Sequence, residues 1–486
     1  MNRRMVLYRT GQILTLEGIL LLLPLAVSVC YFEWNCVKAF AVASAAAFII
    51  GFLLALTKPK NKVIYAREGF SIVTLAWIIL SVIGAMPFIL SGEIQNYADA
   101  FFETVSGFTT TGASILENVE AMSKGLLFWR SFTHWIGGMG ILVLILAIVP
   151  VDSGRSIHIM RAEMPGPVVG KLVPKIRDTA KILYLIYLVL TVVEVVFLLA
   201  GGMPLFDSVV YALGTAGTGG YGIKADSVGC YSPYLQWVIG IFMVIFGVNF
   251  NLFYLMLLKR FKVAVKNTEL WMYLGIIFVS TAIITISIYP VYGNLGDSVR
   301  LSFFQVSSVI STTGYSTANF DLWPELARSV LFILMFIGGC AGSTAGGLKI
   351  SRVLILFKSI QNDFRRMLHP RSVAAVRIDG KAVDNETLHR VSTYFALYIF
   401  LNFAVFLLIS FEPFDFETNF TAAVSCVNNV GPGLGKVGPA GSYAGYSDFS
   451  IIVLSFAMLL GRLEIFPVLL AINPGNWIRK HNTGTK

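Results

Sequence analysis

Four short stretches hold the residues best suited to chemistry: SGFTTTGA (Ser106–Ala113), LGTAGTGG (Leu213–Gly220), SVISTTGY (Ser308–Tyr315) and SCVNNVGP (Ser425–Pro432). Set in one register on Gly112, Gly219, Gly314 and Gly431, they place Thr111, Thr218, Thr313 and Val430 just before the glycine. One step earlier stand Thr110, Gly217, Thr312 and Asn429. A dehydrated cation needs oxygen ligands, and rings of backbone carbonyls supply them. Turning successive carbonyls toward one axis demands unusual backbone angles and close approach, which glycine permits. No Asp or Glu lies in the four octets, so the site reads as a ring of carbonyls rather than carboxylates, which disfavours calcium.

A single Thr-Gly pair reads as a turn or a small-residue helix contact. Four copies, repeating at roughly one hundred residues, are an internal repeat that must be explained first. Each copy follows a segment of about ten residues, which as a helix reaches ~15 Å, half the hydrocarbon thickness. The C-terminal end of such a half-helix carries partial negative charge and favours a cation. Irregular backbone at membrane depth is tolerated where it lines a water-filled path.

The 486-residue chain is 56% hydrophobic and 13% charged, against roughly 25% charged in a soluble protein. Its apolar runs are long and continuous rather than alternating, which indicates helices and not a barrel. The net charge of +10 falls in every second loop, the positive-inside pattern, so the basic balance does not point to nucleic acid. Acidic residues (Glu93, Asp99, Glu117, Glu120, Asp207, Asp321, Glu325, Glu412, Asp415 and Glu417) fall on the side of the Gly/Thr loops, where they would concentrate cations at a mouth. Both termini are expected in the cytoplasm, including the basic tail Trp477–Lys486. Cys30, Cys36, Cys230, Cys340 and Cys426 are scattered and give no case for a disulfide framework or a structural metal.

The expected fold is an all-α polytopic membrane protein. It has four M1–pore loop–M2 repeats in pseudo-fourfold arrangement, plus two extra N-terminal transmembrane helices at about Ile13–Phe32 and Val37–Leu56. The divisions are residues 1–68 for the two-helix extension, 69–181, 182–269 and 270–391 for the first three repeats, and 392–486 for the fourth. The return spans are expected at Leu126–Pro150, Tyr234–Leu258, from Ala327 onward, and at Phe449–Ile472.

Two features fall outside the regular repeat. The run GGCAGSTAGGLK (Gly338–Lys349) has five glycines in its first ten residues, each costing a helix roughly 1 kcal/mol. It reads either as close helix packing through the pairs Gly338/Gly342 and Gly342/Gly346, or as an unwound loop across the pore. Arg462 stands inside an otherwise apolar span, a functional candidate by default, with a local pair to Glu464 or snorkelling as the alternative. Glu194 and His134 read as structural polar contacts.

The whole chain resembles the superfamily of potassium transporters that includes Trk, Ktr and HKT proteins. The matching runs are GGCAGSTAGGLKISRV (Gly338–Val353), HWIGGMGILVL (His134–Leu144) and GRLEIFPVL (Gly461–Leu469). The two extra N-terminal spans favour the TrkH/TrkG branch over KtrB. The resemblance implies that Gly112, Gly219, Gly314 and Gly431 are filter glycines binding transported potassium. It implies a gating loop over Gly338, Gly339, Gly342, Gly346 and Gly347, with Lys349 and Arg462 beside it. It also implies a homodimer with one pore per subunit, in the inner membrane, docked on a cytosolic TrkA-like ring of RCK regulatory subunits that bind NAD or ATP/ADP. The last loop departs from fourfold regularity, with Asn429-Val430-Gly431-Pro432 lacking the usual threonine.

The expected function is potassium-selective uptake through a carbonyl-lined filter, gated by a cytosolic nucleotide-binding subunit. The alternative is proton- or sodium-coupled potassium symport, with Glu194 as the one intramembrane acid to serve it. No nucleophile–base set or metal cluster supports a membrane enzyme. Anionic lipid or a partner is expected at the basic inner loops Val151–Lys181 and Lys349–Arg390.

Overall fold

In the computed structural model, residues 2–59, 66–140, 176–369 and 375–472 are described. Most of the basic loop Val151–Lys181, the inner part of Leu126–Pro150 and the tail Trp477–Lys486 lie outside them.

Six helices are long and apolar enough to cross a membrane: Arg3–Cys30, Trp34–Ala55, Glu68–Leu90, Asp178–Ala200, Thr268–Tyr292 and Asn385–Ile409. Their outward faces carry bare apolar side chains such as Phe278, Phe400 and Leu407, as lipid contact requires. The first two form an antiparallel pair in close contact. Gly11 and Gly51 leave no room for a side chain between them, and Ser44 donates to the Gly18 carbonyl at 2.8 Å. This extension is tied to the first repeat through Glu33, which accepts from the backbone N–H groups of Lys124 and Gly125 at 2.7 and 2.9 Å. The pair thus caps the first return helix, Lys124–Gly138.

The remaining four spans each lead into a half-length helix: Tyr97–Phe108, Leu205–Gly217, Leu295–Ile310 and Phe416–Asn428. Each begins with an acidic residue in its first turn, Asp99, Asp207, Asp297 and Glu417 in order. Negative charge there complements the positive helix end, so these carboxylates serve the half-helices themselves. The half-helices pack inward and are buried along nearly their whole C-terminal halves.

The return segments are not continuous spans. The second is two helices, Pro233–Phe246 and Phe250–Leu257, bent by 90°. The third stops at Ile337 and resumes at Ile350, with no helix through the glycine run, which excludes the packing reading of its GxxxG pairs. The fourth runs Asp448–Arg462 and then Phe466–Ile472, with Glu464 and Ile465 at positive φ between. The first stops at Gly138, and Gly140 follows at φ +80°. Glycines crowd this place in the first repeat (Gly137, Gly138 and Gly140) and in the third but not in the second or fourth, yet a helix stops at the corresponding place in all four return segments.

Near the end of the third repeat lies a small hairpin, Arg377–Ile378 paired antiparallel with Lys381–Ala382. All five cysteines are free.

Candidate functional site

Each half-helix ends in the same way. Thr110, Thr218, Thr312 and Asn429 all stand in the left-handed region, at φ 55–56°. Three of the four are β-branched, for which this region is a true outlier. Strain of this kind persists only where the surroundings over-determine it, and it gathers at functional sites. The next residue in each loop bonds back to the half-helix. Thr111, Gly219, Thr313 and Val430 donate to the carbonyls of Ser106, Gly214, Ser308 and Ser425 at 2.8–3.0 Å. The residue after that is a glycine at positive φ: Gly112, Gly220, Gly314 and Gly431, at 78°, 77°, 89° and 101°.

This corrects the sequence register in the second repeat. The equivalent triplet there is Thr218-Gly219-Gly220, not Gly217-Thr218-Gly219. Gly217 is the last helical residue, and Gly219 takes the place of Thr111, Thr313 and Val430. The readable signal was the tyrosine that follows the glycine, Tyr221 in one loop and Tyr315 in another.

The four loops close into a ring. A side chain on Gly112 would collide with the carbonyl oxygen of Gly219, on Gly220 with that of Thr313, on Gly314 with that of Val430, and on Gly431 with that of Thr111. Each glycine therefore makes room for the next repeat's carbonyl, and the fourth repeat meets the first. Thr110, Thr111, Thr218, Thr312, Thr313, Asn429 and Val430 are buried. Among the described residues no hydrogen bond reaches the backbone carbonyl oxygen of any of the eight residues in the first two layers of this ring. Buried carbonyls are nearly always paired, so eight left open in two layers ask for a ligand that accepts oxygen donors.

On one side of the ring lies a cavity of about 130 Å³ that includes Gly112, Gly220, Gly314 and Gly431 in its wall. Its lining has Arg130 and Lys224 and no carboxylate. The acidic mouth expected from the sequence is therefore not what meets the ring. Arg130 is held by a buried ion pair to Glu103 at 2.7 Å, lies over the Tyr221 ring at 4.0 Å and donates to Ser114 at 3.1 Å. Glu103 also accepts from the Ile115 backbone at 3.1 Å, and Tyr221 donates to the Glu103 carbonyl at 2.6 Å. This network, which sequence reasoning missed, braces the first loop against the second.

On the other side the ring meets the glycine run. The Gly346 N–H donates to the Thr312 hydroxyl at 2.6 Å, and Gly346 packs on Asn428 and Asn429. The loop is fixed at several points. Cys340 N–H reaches the Gly247 carbonyl at 2.9 Å, Phe250 N–H the Gly342 carbonyl at 3.0 Å, and Ile350 N–H the Gly339 carbonyl at 3.0 Å. Gly338, Gly342 and Gly347 all stand at φ 72–74°, and Gly338 packs face to face with Gly346 and Gly347. Lys349, also at φ +74°, is buried and donates to the Ala345 carbonyl.

Arg462 enters from the fourth repeat. It donates to the Thr344 carbonyl of the loop at 2.7 Å and to the Gly137 and Gly138 carbonyls of the first repeat at 2.7 and 2.8 Å. Glu464 takes Arg352, just past the loop, at 2.5 Å. Glu269, another residue that sequence reasoning passed over, accepts from both feet of the loop with one oxygen. Ala341 N–H lies at 2.7 Å and Ser351 N–H at 3.1 Å. Its neighbour Thr268 is capped by Asp379 of the hairpin, at 2.8 Å from the backbone N–H and 2.7 Å from the hydroxyl.

The chain as a whole is similar to known proteins. The family model TrkH, described as a cation transport protein, matches residues 37–276 and 276–477. The Trk system potassium uptake protein TrkH of Salmonella typhimurium is 36% identical over 485 residues, 98% of this chain and 100% of that one. The Trk system potassium uptake protein TrkG of Escherichia coli is 33% identical over 484 residues, 98% of both. The crystal structure of the potassium transporter TrkH from Vibrio parahaemolyticus superposes with a TM-score of 0.88 at 30% identity, covering 98% of this chain and 100% of that one. With its spans, its four half-helices and matches of this extent, the chain is a multi-pass membrane protein that belongs to the TrkH family of cation transport proteins.

Proposed function

We propose that the protein takes up potassium across the cytoplasmic membrane through the four-part ring, with the glycine loop as its gate. The observation that carries this reading is the closed ring with its eight carbonyl oxygens that accept no hydrogen bond among the described residues. Such oxygens replace a potassium ion's hydration shell without a carboxylate. The half-helix ends add their partial negative charge. Relatives named as potassium uptake proteins support the choice of ion.

The loop from Gly338 to Lys349 and the Arg462 guanidinium lie across the exit from the ring and hold it shut at rest. A cytosolic regulatory subunit opens it by acting on the inner loops, and two copies of the chain form the working dimer. The N-terminus and the C-terminal tail face the cytoplasm. The deciding measurement is cation flux into liposomes that contain the purified protein. Potassium should enter many-fold faster than sodium; equal rates would overturn the reading.

A second reading, coupled symport, draws on Glu194. It is buried in the span Asp178–Ala200, and neither of its carboxyl oxygens has a hydrogen-bond partner among the described residues. Potassium accumulation driven by an imposed proton gradient in the same liposomes, and lost in Glu194→Gln, would favour symport. Flux that follows the potassium gradient alone supports the pore.

A further inference from the structure

The second layer of the ring has a side chain in three quadrants and none in the other. Thr111, Thr313 and Val430 are buried. The first two are fastened by hydroxyl contacts of 2.8 Å to Thr109 and 2.7 Å to Ser311. Gly219 has nothing of its own to pack. The volume behind it is filled by the imidazole of His134, from the return helix of the first repeat. A side chain on Gly219 would collide with three atoms of that imidazole, and one on Gly217 with the His134 backbone carbonyl.

His134 is itself fixed. It is wholly buried, and its Nδ1–H donates to the Gly107 carbonyl at 2.8 Å, in the first half-helix. Its ring lies on that of Tyr221, with centroids 4.3 Å apart. One side chain from the first repeat thus backs the second loop and rivets it to the first half-helix. Gly217, Gly219 and Gly220 make this loop the most glycine-rich of the four, and left to itself it would be the freest in conformation.

We propose that His134 is a positioning residue that determines specificity, supplying from another repeat the side chain that the second quadrant lacks. By holding the Thr218 and Gly219 carbonyls in place, it keeps that quadrant's contribution matched to potassium. The inference rests on the proposed potassium function.

The test is the ratio of potassium to sodium flux in liposomes for four proteins: wild type, His134→Ala, Gly219→Thr and the double variant. His134→Ala should pass potassium but lose selectivity several-fold, because the second loop is no longer backed. Gly219→Thr alone should give little flux, since its side chain has no room. The double variant should recover part of the selectivity lost in His134→Ala, the new threonine filling the vacated space as it does in the first and third repeats. A merely structural role predicts lower flux for both ions at an unchanged ratio, and that result would overturn the inference. So would a double variant no more selective than His134→Ala. If His134→Ala does not fold, His134→Asn, which keeps a donor near Gly107 and empties the rest, is read the same way. A wild type that fails to discriminate between the ions overturns the proposed function itself. A selective wild type beside an equally selective His134→Ala overturns this inference alone.

Discussion

At the ring, the four repeats share one backbone conformation: φ 55–56° at the turn residue, the same back-bond to the half-helix, a glycine at positive φ. A short distance along each return segment they share only the fact of being broken. One break is a 90° bend, one is a loop from Gly338 to Lys349, one is a kink at Glu464 and Ile465, and one follows Gly138. The difference separates two kinds of demand. On the proposed function, a spherical cation on the axis asks the same of every quadrant, so the ring is symmetric whatever side chains are used. On the same reading, closing an exit needs one obstruction, so a single loop suffices, and its anchors are Gly247 and Phe250 from the second repeat, Thr312 from its own and Arg462 from the fourth.

If symmetry is the rule at the ring, equivalent changes there should have equivalent effects. Gly112→Ser, Gly220→Ser, Gly314→Ser and Gly431→Ser each force a side chain into the left-handed region, at about 1–2 kcal/mol, and into a neighbouring carbonyl. Each should cut the potassium-to-sodium flux ratio by roughly tenfold or more, since about 1.4 kcal/mol is tenfold. One tolerant position among the four would break the comparison.

The layer below should behave in the opposite way, with unequal effects and selectivity intact. Arg462→Ala removes three hydrogen bonds from a charged donor, each worth roughly 1.5–3 kcal/mol. Potassium flux without any partner should rise about tenfold at an unchanged ion ratio. Flux at or below wild type in folded protein would rule out the gate. Glu269→Gln should act in the same direction but more weakly. It weakens the charge-assisted hold on Ala341 and Ser351, worth about 1 kcal/mol, for a rise of a few-fold in partner-free flux. The smallest effect is expected at Arg365 and Arg366, in the last turn of the helix that follows the loop. Reversing both charges should weaken co-purification of the regulatory subunit in low salt and matter less in high salt.

The spans, the half-helices and the four loops were legible because hydropathy and segment length are local properties. The second loop's register was not. Thr218-Gly219 looks like Thr111-Gly112, and the reason for a glycine at 219 lies in His134, far away in sequence. Arg462 could be flagged from its charge, but its partners are backbone carbonyls, which leave no trace in a sequence. The fourth break carries no glycine at Leu463, Glu464 or Ile465, and its pairing to Arg352 is a long-range contact. Glu269 was passed over because the backbone N–H groups that donate to it, those of Ala341 and Ser351, belong to a loop far away in sequence.

The contact of Gly431 with the Thr111 carbonyl, reinforced by an Asn429 side-chain donation to the Thr111 hydroxyl at 3.0 Å, joins the last repeat to the first. A chain emerges from the ribosome N-terminus first. Three quadrants are therefore inserted while the fourth is still being made. Until it arrives, the first and third loops have an open flank and the carbonyl layers are incomplete. The closing segment is also the one that brings Arg462. Nascent or truncated chains that stop short of it lack both the closed ring and the Arg462 contacts to the loop.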